Sequence, residues 1–178
     1  MAELCTEATT TSIPGPFHTA ISHNSHPISP SALSSTKPAD HNWVYLQNRY
    51  EIQIVDGQKT KHGMGAVINE TESPYYAYTG LGKWNAYDIV FRAARFKEGK
   101  RVEKAMLTMY FNSQKVYTNQ TINQVWGGPN SGIDGGNDDG KGITDTPGGL
   151  KLQAEGHDVR YRNAWIKDLN LNELNTDF

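Results

Sequence analysis

The stretch RYEIQIV (49–55) decides the architecture. Tyr50, Ile52 and Ile54 alternate with Glu51 and Gln53, the two-residue period of a strand with one face against a core. Immediately upstream, WVYLQ (43–47) reads as another strand, with only Asn48 between the two. Downstream, AYDIVFRAARF (86–96) puts Tyr87, Ile89 and Phe91 on one face and Asp88 and Arg92 on the other. EKAMLTMYF (103–111) alternates Ala105, Leu107, Met109 and Phe111 against Lys104, Met106, Thr108 and Tyr110. Asn112 and Ser113 make a turn into KVYTN (115–119). GLKLQAE (149–155) and DVRYRNAWIKDL (158–169), joined at Gly156-His157, complete the series. No segment sustains a helical period. Short strands separated by Gly, Asn and Pro turns predict an all-β sandwich or barrel.

Outward from this block the composition changes. Residues 1–41 are rich in Ser, Thr and Pro with almost no apolar periodicity. Such a segment cannot bury enough surface to offset its ordering entropy, which predicts a disordered or loosely draped tail. The expected division is a tail over 1–41, a β domain over 42–171 and a short C-terminal tail over 172–178. His18, His23 and His26 lie in the first tail without carboxylate or thiolate partners at ligand spacing, so a metal reading ranks well below an ordinary polar segment. The loop 127–149, GGPNSGIDGGNDDGKGITDTPGG, is too long for a simple connection and reads as a polar loop on the substrate side. Asp134, Asp138, Asp139 and Asp145 stand among its glycines. The spacing of an EF-hand is absent, so calcium is the lesser reading there.

With 178 residues, 37% hydrophobic and 20% charged, the chain suits one domain with a modest core. A formal net charge of −2, with both signs interspersed, gives no case for nucleic acid or an anionic membrane. No apolar run reaches membrane-span length. One cysteine, Cys5, excludes an intrachain disulfide and a thiolate metal cluster. The opening residues MAELCTEATTT lack the basic start and apolar stretch of a secretory signal, so export would require a leader outside this sequence. Nine Tyr and four Trp suit strand packing first and sugar stacking second. Neither GxSxG nor a strand-to-helix GxGxxG occurs, which removes the serine-hydrolase and dinucleotide readings.

Two sets of polar residues share strand faces. Glu51 and Gln53 lie on one face of their strand, and Arg160 and Arg162 on one face of theirs. If both faces line one concave sheet, a carboxylate, an amide and two guanidinium groups meet in a groove suited to sugar hydroxyls. A solvated face of cross-strand ion pairs stands at equal weight. Glu51 and Glu155 also form a conceivable carboxylate couple, whose separation the sequence does not fix.

Read together, YLQNRYEIQIVD (45–56), GKWNAYDIVFRAARF (82–96), EKAMLTMYFN (103–112) and GGLKLQAEGHDVRYRNAWIKDL (148–169) resemble the 3-keto-disaccharide hydrolase domain family, which includes 3-keto-glucoside lyases and 3-keto-2-hydroxy-glucal hydratases. The resemblance implies a concanavalin A-like jelly-roll β-sandwich. It also implies cleavage of 3-keto-glycosides, by hydrolysis or by elimination and hydration, and an extracytoplasmic location. With it, Glu51, His157 and Arg160 become the candidate catalytic groups. Gln53, Trp84, Asn85, Arg162 and Glu155 become candidate substrate ligands. A carbohydrate substrate is the expected partner, and the requirement for a divalent metal stays open. Family members usually carry strands and an NSG-type motif before the YEIQI strand, where this chain has His41-Asn42-Trp43. The expectation is therefore a sandwich lacking its opening strands, with three alternatives to a competent enzyme: a lectin-like binding module, an inactive truncated member, or a fragment completed by a partner chain.

Overall fold

The computed structural model describes residues 18–21, 32–34, 42–55, 59–68, 70–125, 142–153, 159–164 and 166–168. Among the described residues every regular element is a strand. They are β1 (His18–Ile21), β2 (Ala32–Ser34), β3 (Asn42–Leu46), β4 (Tyr50–Ile54), β5 (Tyr87–Arg92), β6 (Arg95–Lys97), β7 (Lys100–Glu103), β8 (Ala105–Phe111), β9 (Gln114–Ile122), β10 (Lys151–Leu152), β11 (Arg160–Arg162) and β12 (Lys167–Asp168). A five-stranded sheet runs β12-β1-β5-β8-β9, a three-stranded sheet runs β10-β3-β4, and β2–β11 and β6–β7 form two ribbons. All pairings are antiparallel. The all-β reading holds, and the architecture is a jelly-roll type of β-sandwich.

Three hairpins turn on pairs of left-handed residues: Gln47-Asn48 (φ 53° and 54°), Glu98-Gly99 (52° and 74°) and Asn112-Ser113 (49° and 67°). Such pairs match the right-handed twist of the strands they join. Only one of these six positions is a glycine, and Asn112 compensates through its side chain. Its Oδ1 accepts from Ala86 N at 2.7 Å, and its Nδ2 donates to Ala77 O at 2.6 Å.

Register assigns the faces. Val44 opposes Ile52 and Leu46 opposes Tyr50, while Trp43 opposes Gln53 and Tyr45 opposes Glu51. The first set faces the core. From the other sheet come Tyr87, Ile89 and Phe91 of β5 and Ala105, Leu107, Met109 and Phe111 of β8. Tyr50 and Phe91 meet across the sandwich at 5.0 Å between ring centroids. The residues expected inside, Tyr50, Ile52, Ile54, Leu107, Met109 and Phe111, are all at most 2% exposed. That agreement fixes the register of both sheets.

The structure departs from the sequence reading in four places. The segment read as a tail contributes two strands: β1 pairs with both β5 and β12, and β2 pairs with β11. The sandwich therefore takes strands from ahead of residue 42, correcting the expectation that its opening part is missing. AYDIVFRAARF breaks at Ala93-Ala94 into β5 and β6. KVYTN lengthens into the nine residues of β9, whose pairing with β8 shifts register twice. In GLKLQAE only Lys151–Leu152 pairs as strand, and the Gly156-His157 turn lies outside the described residues.

Candidate functional site

The outer face of the three-stranded sheet carries Trp43, Tyr45, Glu51 and Gln53, because these alternate with the core residues of β3 and β4. Lys151 of β10 opposes Tyr45, with its Nζ 5.8 Å from the ring centroid, and Trp43 and Tyr45 stand 6.4 Å apart. Alternation alone leads one to expect Glu51 and Gln53 to face an open groove. Instead Glu51 is 8% and Gln53 1% exposed, so β4 is buried on both faces. The segment 62–68 runs along the free edge of β4. Gln53 N donates to Ala66 O, Gly65 N to Gln53 O and Ile68 N to Glu51 O. The Gln53 side chain is spent on this same segment, its Nε2 donating to His62 O at 3.0 Å.

Buried phenols bond to β4 and to that segment. Tyr87 Oη donates to Gln53 O at 2.8 Å, and Tyr117 Oη donates to Gly65 O at 3.0 Å. Gly65 is left-handed (φ 77°), and a Cβ there would come within 3.1 Å of the Phe111 ring. Burial raises the pKa of Tyr87, with Tyr117 adding to the rise, and burial likewise raises Tyr117. These groups remain neutral donors.

A second anchorage holds the far end of the long loop. Arg49, 2% exposed, donates through Nε to Gly142 O at 3.1 Å and through Nη2 to Thr144 Oγ1 at 2.7 Å. Asn48 N donates to Gly149 O at 2.9 Å. The β3–β4 turn thus grips residues 142–149 and sets where the glycine-rich loop returns to the sheet.

A distinct cluster forms around Trp84. The Arg162 guanidinium lies over its indole, 4.0 Å from the ring centroid. Trp84 is 37% exposed, and its loop is locked from behind by Asn85. Asn85 Oδ1 accepts from Thr79 N at 3.0 Å, Thr79 Oγ1 at 2.9 Å and Asn112 Nδ2 at 2.8 Å, and its Nδ2 donates to Lys83 O at 3.1 Å. Asn85 is only 2% exposed, so in this structure it builds the loop that presents Trp84. Arg160 and Arg162 project from the exposed side of β11. Tyr161 between them packs on the core and donates to Gln153 O at 2.5 Å.

The predicted site residues therefore fall into groups. Glu51 and Gln53 lie on the three-stranded sheet, on the strand whose edge pairs with the 62–68 segment. Trp84, Asn85 and Arg162 come together at the loop–ribbon contact, with Arg160 on the same strand face as Arg162. His157 and Glu155 lie outside the described residues. Sequence reasoning does not single out Trp43 and Tyr45 as site residues, nor Arg49 as an anchor. Parity in 43–47 carries the signal for the first two, since Val44 and Leu46 claim the core side. Nothing local marks Arg49 as an anchor: besides the nearby Gln47 O, its Nε and Nη2 reach acceptors more than ninety residues away. Among the described residues no group of three or more His, Cys, Asp or Glu side chains is placed to hold a metal ion.

The described strands make a sandwich of the jelly-roll type. The model of the 3-keto-alpha-glucoside-1,2-lyase-like domain matches residues 31–167, and the chain belongs to that family. The match begins ahead of residue 42, in keeping with β2. A crystal structure from Parabacteroides distasonis, of a protein provisionally assigned as a glycosyl hydrolase, superposes with a TM-score of 0.64 at 21% identity. The likeness covers 86% of this chain and 64% of that one, so this chain spans less than two thirds of that protein. No curated protein matches the chain.

Proposed function

We propose that the protein cleaves glycosides whose glucose unit bears a ketone at carbon 3, by elimination of the carbon 1 substituent followed by hydration. The observation that carries this reading is a carboxylate, Glu51, held nearly out of solvent beside Tyr45 and Trp43 in a chain of this family. A positioned carboxylate is a suitable general base for a proton on carbon. The ketone acidifies the hydrogen on carbon 2. Glu51 takes that proton, the electron pair becomes the enolate, and reformation of the ketone expels the glycosidic oxygen from carbon 1. A general acid, for which His157 is the candidate, returns a proton to the departing oxygen. Water then adds across the carbon 1–carbon 2 double bond to give the free 3-keto sugar. Arg160 is the group that stabilises the enolate oxygen in this scheme, Arg162 and Trp84 hold the sugar unit beyond the scissile bond, and Gln53 and Asn85 support the surfaces that do so. Glu155 belongs to the same sugar-binding set.

The test is turnover of a 3-keto-glucoside beside its unoxidised parent. The keto substrate is cleaved and the parent is not. Glu51→Gln lowers kcat by about 10²–10⁴-fold with a melting curve close to that of the wild type. Full activity in Glu51→Gln removes Glu51 from the chemistry, and binding of the keto sugar without turnover makes the protein a lectin-like module.

A further inference from the structure

The side chains around Trp84 leave a set of charges uncompensated. Arg160 and Arg162 share the exposed face of β11, and Lys83 directly precedes Trp84 on its loop, all three being exposed. Among the described residues none of the three is ion-paired or hydrogen-bonded through its side chain to a carboxylate. Arg162 is nonetheless fixed. Its guanidinium is stacked on an indole whose loop is tied down by the Asn85 bonds. Stacking engages the π face of the guanidinium and leaves its in-plane N–H fork open. A fork so presented matches a carboxylate through two parallel charge-assisted hydrogen bonds. The exposed part of the indole beside it matches the C–H face of a sugar ring.

We infer that Trp84, Arg162 and Lys83 form a subsite for a uronic acid residue, the sugar ring lying on the indole and its carboxylate held in the Arg162 fork. A neutral hexose could use the indole but would leave the cations without a counter-charge. The inference deepens the proposed carbohydrate activity and rests on reading this surface as sugar-binding. It adds that the substrate is acidic, with the uronate in a unit other than the oxidised glucose.

Calorimetric titration of the full chain tests this without any turnover, using a glucuronic acid-containing disaccharide and its neutral glucose counterpart as matched probes. The acidic probe binds about tenfold or more tightly than the neutral one at low ionic strength, since a hydrogen bond to a charged partner is about twice as strong as a neutral one. That preference shrinks as salt is raised. Arg162→Lys keeps the charge but loses the fork and the stack, and it lowers affinity for the acidic probe about tenfold more than for the neutral one. Equal binding of the two probes overturns the inference, and so does binding of neither. An acidic preference that survives intact in both Arg162→Lys and Arg162→Ala also overturns it. Cleavage of a neutral 3-keto-glucoside is measured separately, so loss of the acidic preference with turnover intact rejects only the uronate subsite. Absence of turnover with the preference intact rejects only the chemistry.

Discussion

Replacing Gly148 by alanine tests the grip of the β3–β4 turn on the returning loop. A Cβ at this position would lie 2.3 Å from Gln47 O and 2.6 Å from its carbonyl carbon. Both contacts are far shorter than van der Waals separation, and both are to backbone, so no side chain can swing aside. The segment 142–149 has to lift by about an ångström to clear. The first bond lost is Asn48 N to Gly149 O, now 2.9 Å, worth about 1 kcal/mol. Next are two of the acceptors of Arg49, Gly142 O and Thr144 Oγ1, while Gln47 O stays with Nη1. Hydrogen bonds to a charged group contribute about 1.5–3 kcal/mol each, and loss of acceptors by a buried guanidinium is costly. Loss of one backbone bond and partial loss of the arginine pair predicts a destabilisation of about 3 kcal/mol. Urea unfolding followed by tryptophan fluorescence measures it, with Gly99→Ala as the reference. Gly99 is left-handed (φ 74°), and a Cβ added there would meet nothing within 4 Å, so its cost is conformational and about 1 kcal/mol. A Gly148→Ala protein no less stable than Gly99→Ala would refute the argument that this close approach locks the loop.

Ile52 is fully buried in the core cluster, so Ile52→Ala should cost about 2–5 kcal/mol in the same assay, and a loss below about 1 kcal/mol would mean the register of β4 is wrong. Alkaline stability carries a signed expectation. Burial, opposed by Arg49, pushes the Tyr50 phenol up to about 12, and burial also raises Tyr87, Tyr117 and Tyr161 above the ordinary value of 10.0. Above about pH 10 the unfolded chain releases protons that the native phenols retain, so this stabilisation is complete below about pH 10 and falls away as pH rises through about 12. Melting temperatures should drop over that window, with tyrosinate absorbance appearing together with unfolding. Ionisation of these four phenols in a still-folded protein would contradict their burial.

How much of this is legible in the sequence depends on what fixes each element. β4, β5 and β8 stand out because one face of each meets the core and the other does not, which is what alternation reports. β9 reads short because its two register shifts place Val116 and Tyr117 both inside, and a bulge erases the parity that pattern reading uses. β1 and β2 escape notice because HTAI and ALS are short and lack that alternation, and backbone bonds to their neighbours require none. At the site, motif position points to Trp84 and Arg162 separately, and their stacking is a tertiary fact between residues far apart in the chain. The burial of Glu51 is invisible at that level because alternation reports the core side of a strand and says nothing of what covers the other side.

The pairing of β1 with β12 aligns Thr19 with Asp168 and Ala20 with Lys167. Those partners are separated by almost the whole polypeptide, so among the described pairings this contact closes the largest ring. During synthesis, β5 can meet β8 and β9 as soon as they emerge, but β1 must wait for β12 before its second edge is covered. The sheet is therefore zipped shut from its hairpin side toward the meeting of distant segments.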